Sequence, residues 1–195
     1  YNRHAEHPCV SVDSEGAVAD AVTRLVLLGH RRIAMVSGTL AASDRAQQRY
    51  RGYLKGMADT GLDVLPLIEV PFVETAIDAL SAQLRVRQRP TALICSNDLL
   101  AIRSIRAAHL SGLSVPDDLS VVGFDGIALG EDLTPALTTI AQPNSDIGRQ
   151  SVELLIQAIA GGTTLQADSS LLLPHAFRDG ESCASAREDN NAATY

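Results

Sequence analysis

The residues of this chain best suited to binding chemistry lie directly after short apolar runs. They are Asp13 with Ser14, then Ser37-Gly38-Thr39, Phe72, Ser96-Asn97-Asp98, Asp125 and Gln142. Carboxylates accept from hydroxyls, Asn and Gln both donate and accept, and an aromatic ring covers an apolar ring face. Gathered at one place, these groups suit a polyhydroxylated or heterocyclic small molecule. The competing role for strand-end Asp, Asn and Ser is to cap the next helix, and Ser14 and Asp98 are placed for that. Asp125 stands apart, because Gly126 follows it and no helical pattern begins within the next few residues. Its competing role is an Asx-turn, and it is the strongest single ligand candidate.

Other reactive groups carry less. Cys9, Cys95 and Cys183 are odd in number and widely spaced, which fits neither a disulfide framework nor a zinc site. Cys95 sits in an apolar run whose burial would raise its pKa and make it inert. His4 and His7 form an HxxH pair beside Pro8, better read as a solvated segment than as metal ligands. His30 follows Gly29 at a helix end and is expected to meet the last carbonyls there. His109 and His175 have no recognisable partners in the sequence. Arg85, Arg87 and Arg89 alternate ahead of Pro90 and read as a solvated helix exit rather than a phosphate site. No GxSxG, Walker, GxGxxG or HExxH pattern is present, so no catalytic residue, metal or cofactor is expected.

Short β-prone runs alternate with longer amphipathic ones. Strands are expected at Cys9 to Val12, Arg32 to Val36, Leu65 to Val70, Thr91 to Cys95, Leu119 to Phe124, Thr138 to Ala141 and Ser170 to Leu173. Helices are expected at Glu15 to Leu28 with Ser14 as cap, Asp44 to Thr60, Glu74 to Arg87, Asp98 to Ser111 and Asn144 to Ala160. This βαβ rhythm implies a parallel sheet with helices on both faces, whose ligands bind beyond the carboxyl ends of the strands. From Gly180 to Tyr195 large apolar residues thin out, and a mobile tail is expected.

The chain has 195 residues, 46% of them apolar and 20% charged, which fits a packed globule. Its 16 basic against 23 acidic residues leave a net charge of −7, which argues against DNA binding by these residues. No apolar run approaches the roughly 20 residues of a bilayer span. Cysteine usage points to a reducing cytoplasm. Tyr1 is not a Met, and a segment is expected ahead of it.

A set of motifs, in fixed order, carries a resemblance. It comprises Leu28-Gly29-His30-Arg31-Arg32-Ile33-Ala34, Arg49 with Gly52-Tyr53, Pro90-Thr91-Ala92, Asn97-Asp98, Gly112-Leu113 with Val115-Pro116, and Ser120-Val121-Val122-Gly123-Phe124-Asp125. It ends with Leu133-Thr134-Pro135, Leu137-Thr138-Thr139-Ile140 and Gln142-Pro143. Together, from about Val10 to Ala160, these resemble the LacI/GalR family of transcription regulators.

The resemblance implies an α/β fold of the periplasmic-binding-protein-like type, built as two subdomains with a small-molecule effector in the cleft between them. Residues 14–141 would form the C-terminal, effector-binding subdomain. Residues 1–13 and 142–170 would belong to the N-terminal subdomain and its crossovers, 171–178 would return to the C-terminal one, and 179–195 would be a disordered tail. The family's effector positions fall on Asp13, Ser43, Arg45, Arg49, Phe72, Asn97, Asp125 and Gln142. Arg49, near a helix start, could offer a guanidinium fork to vicinal hydroxyls or an anion. Gly126 stands where the family often has Asp, Ser14 where Asn is common, and Ser43 at a position that sets specificity.

The implied protein is a cytoplasmic homodimeric regulator, expected to be a repressor. A sugar- or nucleoside-like effector would alter its operator affinity through a helix-turn-helix headpiece ahead of this chain. The alternative is the periplasmic receptor of a sugar importer. Gly123-Phe124-Asp125-Gly126 would suit that equally, whereas the Leu-Gly-His-Arg-Arg block and the Leu-Thr-Thr-Ile plus Gln-Pro ending favour the regulator.

Overall fold

The computed structural model describes residues 8–71 and 77–187. Its first strand, β1 (Val10–Val12), leads into α1 (Ser14–Leu27). The chain then alternates through β2 (Ile33–Ser37), α2 (Asp44–Asp59), β3 (Ile68–Glu69), α3 (Ile77–Leu84), β4 (Ala92–Cys95), α4 (Asp98–Leu110) and β5 (Ser120–Asp125). It ends with β6 (Thr138–Ala141), α5 (Asn144–Gly161), β7 (Leu171–Leu173) and β8 (Ala176–Arg178).

A six-stranded sheet runs in the order β3-β2-β4-β5-β6-β8, parallel except for β8, which lies antiparallel to β6. From β2 the chain winds one way to β3 and the other way to β4, so strand order reverses between β2 and β4. That reversal opens a crevice at the carboxyl ends of those two strands. The inner strands are buried on both faces, which explains their continuous apolar sequence. Val18, Val22 and Leu25 of α1 and Tyr53 and Met57 of α2 cover one face through Met35, Ile94 and Phe124. Leu80 and Leu84 of α3 and Leu100 and Ile105 of α4 cover the other through Val36, Leu93 and Val121.

Several expectations are corrected in detail. β3 shrinks from the expected Leu65 to Val70 to a two-residue ladder. The expected start of α3 at Glu74 lies outside the described residues. The stretch 171–178 divides: β7 pairs in parallel with β1 as a separate two-stranded sheet, and only β8 joins the large one. Helix α5 has no buried residue and leaves Val152, Leu155, Ile156 and Ile159 exposed.

The expected tail is also corrected over its described part. Residues 180–186 form a strap across the amino ends of the strands. Ser182 is fully buried; it accepts from the Thr138 N–H (2.9 Å) and donates to the Val121 carbonyl (2.6 Å). The Val121 N–H donates to the Ser182 carbonyl (2.8 Å), and the Ala186 N–H reaches the Leu28 carbonyl (2.8 Å). Small residues suffice here because the strap is held by hydrogen bonds to otherwise unpaired strand ends, a signal that apolar periodicity does not carry.

Candidate functional site

A cleft of about 640 Å³ occupies the switch point between β2 and β4. Gly38 and Thr39 from the end of β2, and Ser96 and Asn97 from the end of β4, form two of its walls. Helix α2 contributes Ser43, Arg45 and Arg49, and β5 contributes Asp125, with Ile127 just beyond. Apolar surface comes from Ala42, Ala46, Pro71, Leu99 and Ile127. A largely apolar concavity with a few convergent polar groups is the usual form of a small-molecule site.

Its floor is built on Arg49. The side chain is buried (5% exposed), its guanidinium lies 3.7 Å over the Phe124 ring, and it pairs with Asp125 at 3.0 Å. It also donates to the Ser96 carbonyl, while its Nε is buried with no partner among the described residues. Burial lowers the Arg49 pKa, and the charge of Asp125 opposes that shift. Gln142 donates to the same Asp125 Oδ1 at 2.8 Å, so the described bonds of this carboxylate fall on one oxygen. The other has no bond among those described, and a carboxylate oxygen can accept from a hydroxyl or a ring N–H.

Asp125 has φ +116°, a left-handed conformation that costs a side-chain-bearing residue on the order of 1–3 kcal/mol. The turn continues through Gly126 at φ +74°, where a Cβ would sit 2.7 Å from that of Ala141, so only glycine fits.

Asp98, buried at the start of α4, holds the turn from beneath. It accepts from the Ile127 N–H (2.8 Å) and the Thr139 hydroxyl (2.6 Å). Burial raises its pKa, and the Thr139 hydrogen bond works against that rise. Gly123 makes room for it, since a Cβ there would collide with the Asp98 carboxylate.

The structure gathers Ser43, Arg45, Arg49, Asn97 and Asp125 around the cleft, with Gln142 bonded to Asp125 behind it. Phe72 lies outside the described residues, as do His4 and His7. Asp13 is not brought into the cleft: it lines a neighbouring concavity of about 190 Å³ with Ser11, Glu15, Gln48 and Arg51. It caps α1 by accepting from the Gly16 N–H at 3.0 Å, a role expected of Ser14. Ser43 likewise caps α2, and Asn97, rather than Asp98, caps α4.

The strand-end pattern missed Leu99, Ile127, Pro71, Ala42 and Ala46, because apolar residues one step past a strand or in a helix's first turns carry no polar signal. The His30 backbone N–H meets the Leu25 carbonyl at the end of α1 (3.0 Å), as expected, but its ring does not. It is buried among the Thr91 hydroxyl (2.9 Å), the Ser120 hydroxyl (3.1 Å) and the Ala184 carbonyl (3.0 Å). His175, unpartnered in the sequence reading, pairs with Asp20 at 3.4 Å. Burial pushes the Cys95 thiol up to about 12, so it is no nucleophile. Among the described residues no helix is long and apolar enough to cross a membrane.

A doubly wound α/β sheet with a polar-floored cleft at its switch point is the architecture of the periplasmic-binding-protein-like class. Residues 22–183 match the family described as periplasmic binding protein-like domain. Catabolite control protein A of Priestia megaterium is 36% identical over 172 residues, covering 86% of this chain and 51% of that protein.

A dimeric Lac repressor structure with an 11-residue C-terminal deletion superposes with a TM-score of 0.86 at 26% identity, covering 95% of this chain and 67% of that one. A LacI family transcriptional regulator from Enterococcus faecium with bound ribose gives 0.81 at 26% identity, covering 92% and 66%. The chain belongs to the periplasmic binding protein-like domain family, in its LacI branch of transcription regulators. It spans about half the length of the curated relative it matches.

Proposed function

We propose that this chain is the effector-sensing part of a LacI-family repressor. A sugar- or nucleoside-like molecule binds in the cleft, with Asp125, Asn97 and the rim residues Ser43 and Arg45 meeting its polar groups. The observation that carries the reading is the Arg49-Asp125-Gln142 constellation, buried on one side and open to the cleft on the other. Arg49 and Gln142 fix one carboxylate oxygen, so the second is preorganised for a donor on the ligand. The apolar lining from Ala42, Ala46, Leu99 and Ile127 suits the carbon faces of a pentose or hexose ring. The solved relative with bound ribose supports the sugar class.

In the full-length protein the ligand bridges this subdomain and a second one, and its preference for one closure state changes operator affinity. The coupling is reciprocal and of the usual size, about 1–3 kcal/mol. Operator contact belongs to a helix-turn-helix segment and not to these acidic residues, and a two-fold operator calls for a homodimer. A cytoplasmic location follows from that role.

The test is a titration of the chain with D-ribose, D-galactose, cytidine and adenosine, followed by backbone amide shifts. At least one compound is expected to move Asn97, Leu99 and Ile127 while leaving the strap unmoved. Binding that survives Asp125→Ala unchanged would remove the cleft from the reading.

A further inference from the structure

The turn that carries Asp125 is gripped from a second side. Arg178 of β8 donates to the Ile127 carbonyl at 2.8 Å and to the Gly126 carbonyl at 3.3 Å, and pairs with Glu131 at 2.5 Å. Asp98 accepts the Ile127 N–H, so both the N–H and the carbonyl of Ile127 are taken by side chains distant in sequence. A turn strained at Asp125 persists only when its surroundings over-determine it, and these two residues supply much of that determination.

The position of Arg178 in the chain gives this grip a second meaning. β7 belongs to the separate sheet with β1, and only Pro174 and His175 separate it from β8. Gln142, the other residue holding Asp125, stands where β6 gives way to α5, which packs on β1. Two of the segments linking the large sheet to the β1–β7 pair therefore each place a side chain on Asp125 or its turn.

We propose that Arg178 is a positioning residue that ties the Asp125 turn to the β7–β8 connection, so that the placement of the ligand-binding carboxylate and that of the β1–β7 pair are coupled. This rests on the effector reading of the cleft. A ligand that fixes Asp125 acts through Arg178 on β8 and through Gln142 on α5. Displacement of the β1–β7 pair acts back on Asp125 by the same contacts, as linkage requires. Arg178 touches no ligand in this arrangement; its guanidinium meets the two carbonyls with two N–H groups held in a fixed fork, a geometry that an ammonium does not reproduce.

The experiment is amide hydrogen exchange on the ligand-free 195-residue chain, comparing the native sequence with Arg178→Gln, Arg178→Lys and Glu131→Gln. Arg178→Gln is expected to speed exchange about tenfold at Gly130 and Gln142, and also at Leu171 to Leu173 on β7, while the strap and α4 keep native protection. Arg178→Lys, which keeps the charge but not the fork, should fall between, and Glu131→Gln should leave β7 unchanged.

Acceleration confined to residues 126–131 would make Arg178 a local brace and overturn the coupling. Uniform acceleration across the chain, in both Arg178 variants, would make it a fold-stabilising residue and overturn it equally. No ligand enters this measurement, so a chain that bound none of the four compounds above would defeat the effector reading and leave this outcome separately readable.

Discussion

The two ends of the six-stranded sheet are finished in opposite ways. At the amino ends, the strap of residues 180–186 pairs with Thr138, Val121, Ser120 and Leu28 through neutral hydroxyls and backbone groups, and His30 sits among them with both ring nitrogens bonded. At the carboxyl ends, a buried guanidinium, a carboxylate in a left-handed conformation and a cleft of about 640 Å³ are left facing outward. Ser37 Oγ and Arg49 Nε are buried there without partners among the described residues. One end is closed and satisfied, and the other keeps charge, strain and unmet bonding capacity. Ligand binding needs the second kind of end, because groups already satisfied by the protein have nothing to offer a ligand.

The largest effect that would break this contrast is expected from the strap. A chain ending at Asp179 exposes the amino ends of β5 and β6 and leaves the Thr138 N–H and Val121 carbonyl without Ser182. Each buried group so orphaned costs about 1–3 kcal/mol. With His30 and Ser120 also losing Ala184, the melting midpoint should fall by more than about 10 °C. Differential scanning calorimetry decides it; an unshifted midpoint would return the segment to the status of a tail.

Next in size is Asp125→Ala, which acts at the other end. Ligand affinity should fall more than about a hundredfold, the scale expected when a charged hydrogen-bond partner is removed from a site. Stability should fall by only about 1–2 kcal/mol, less than for a fully buried pair, because the Asp125 side chain is 31% exposed. Loss of folding equal to that of the strap deletion would erase the distinction between the two ends.

The two ends were not equally legible in the sequence. Asn97 and Asp125 are legible because polar types directly after apolar runs are conspicuous, whereas Ser43, Arg45 and Arg49 lie in or beside a helix and are pointed to only by the family resemblance; all five line the cleft. Asp13 shows the limit of that signal: strand-end position fixes where a backbone goes, not whether a side chain turns to cap its own helix, as this one does. The fold followed from βαβ alternation over β2 to β6, where each element has its own periodicity. The strap and β8 did not, since they are three to seven residues long and stabilised by partners more than thirty positions away. The division of β7 from β8 was hidden for the same reason: only Pro174 and His175 lie between them, and only pairing with β1 or β6 tells them apart.

A smaller test isolates the strain at the binding end. Asp125→Ala and Asp125→Gly both remove the carboxylate, so the difference between them reports the left-handed backbone alone. With φ at +116°, the glycine variant should be the more stable by about 1 kcal/mol, measured as the gap between their urea unfolding free energies. Neither should bind ligand. Equal stabilities would mean the turn relaxes once the carboxylate is gone, and that Asp125 is held in strain by its own contacts with Arg49 and Gln142.

The smallest expected effect sits at the closed end. Burial lowers the His30 pKa below its ordinary value of about 6.5, with the Ala184 carbonyl pulling the other way, so the native state keeps this imidazole neutral at pH values where the unfolded chain protonates it. Unfolding below about pH 6.5 therefore takes up protons, and stability present above that pH is lost as the pH falls through it. A single ring accounts for at most one proton per chain. Calorimetric unfolding at pH 5.5 in buffers of different ionisation enthalpy should show that uptake, and His30→Gln should reduce it while retaining a donor for the Ala184 carbonyl. An uptake unaffected by the substitution would place the pH dependence on groups other than His30.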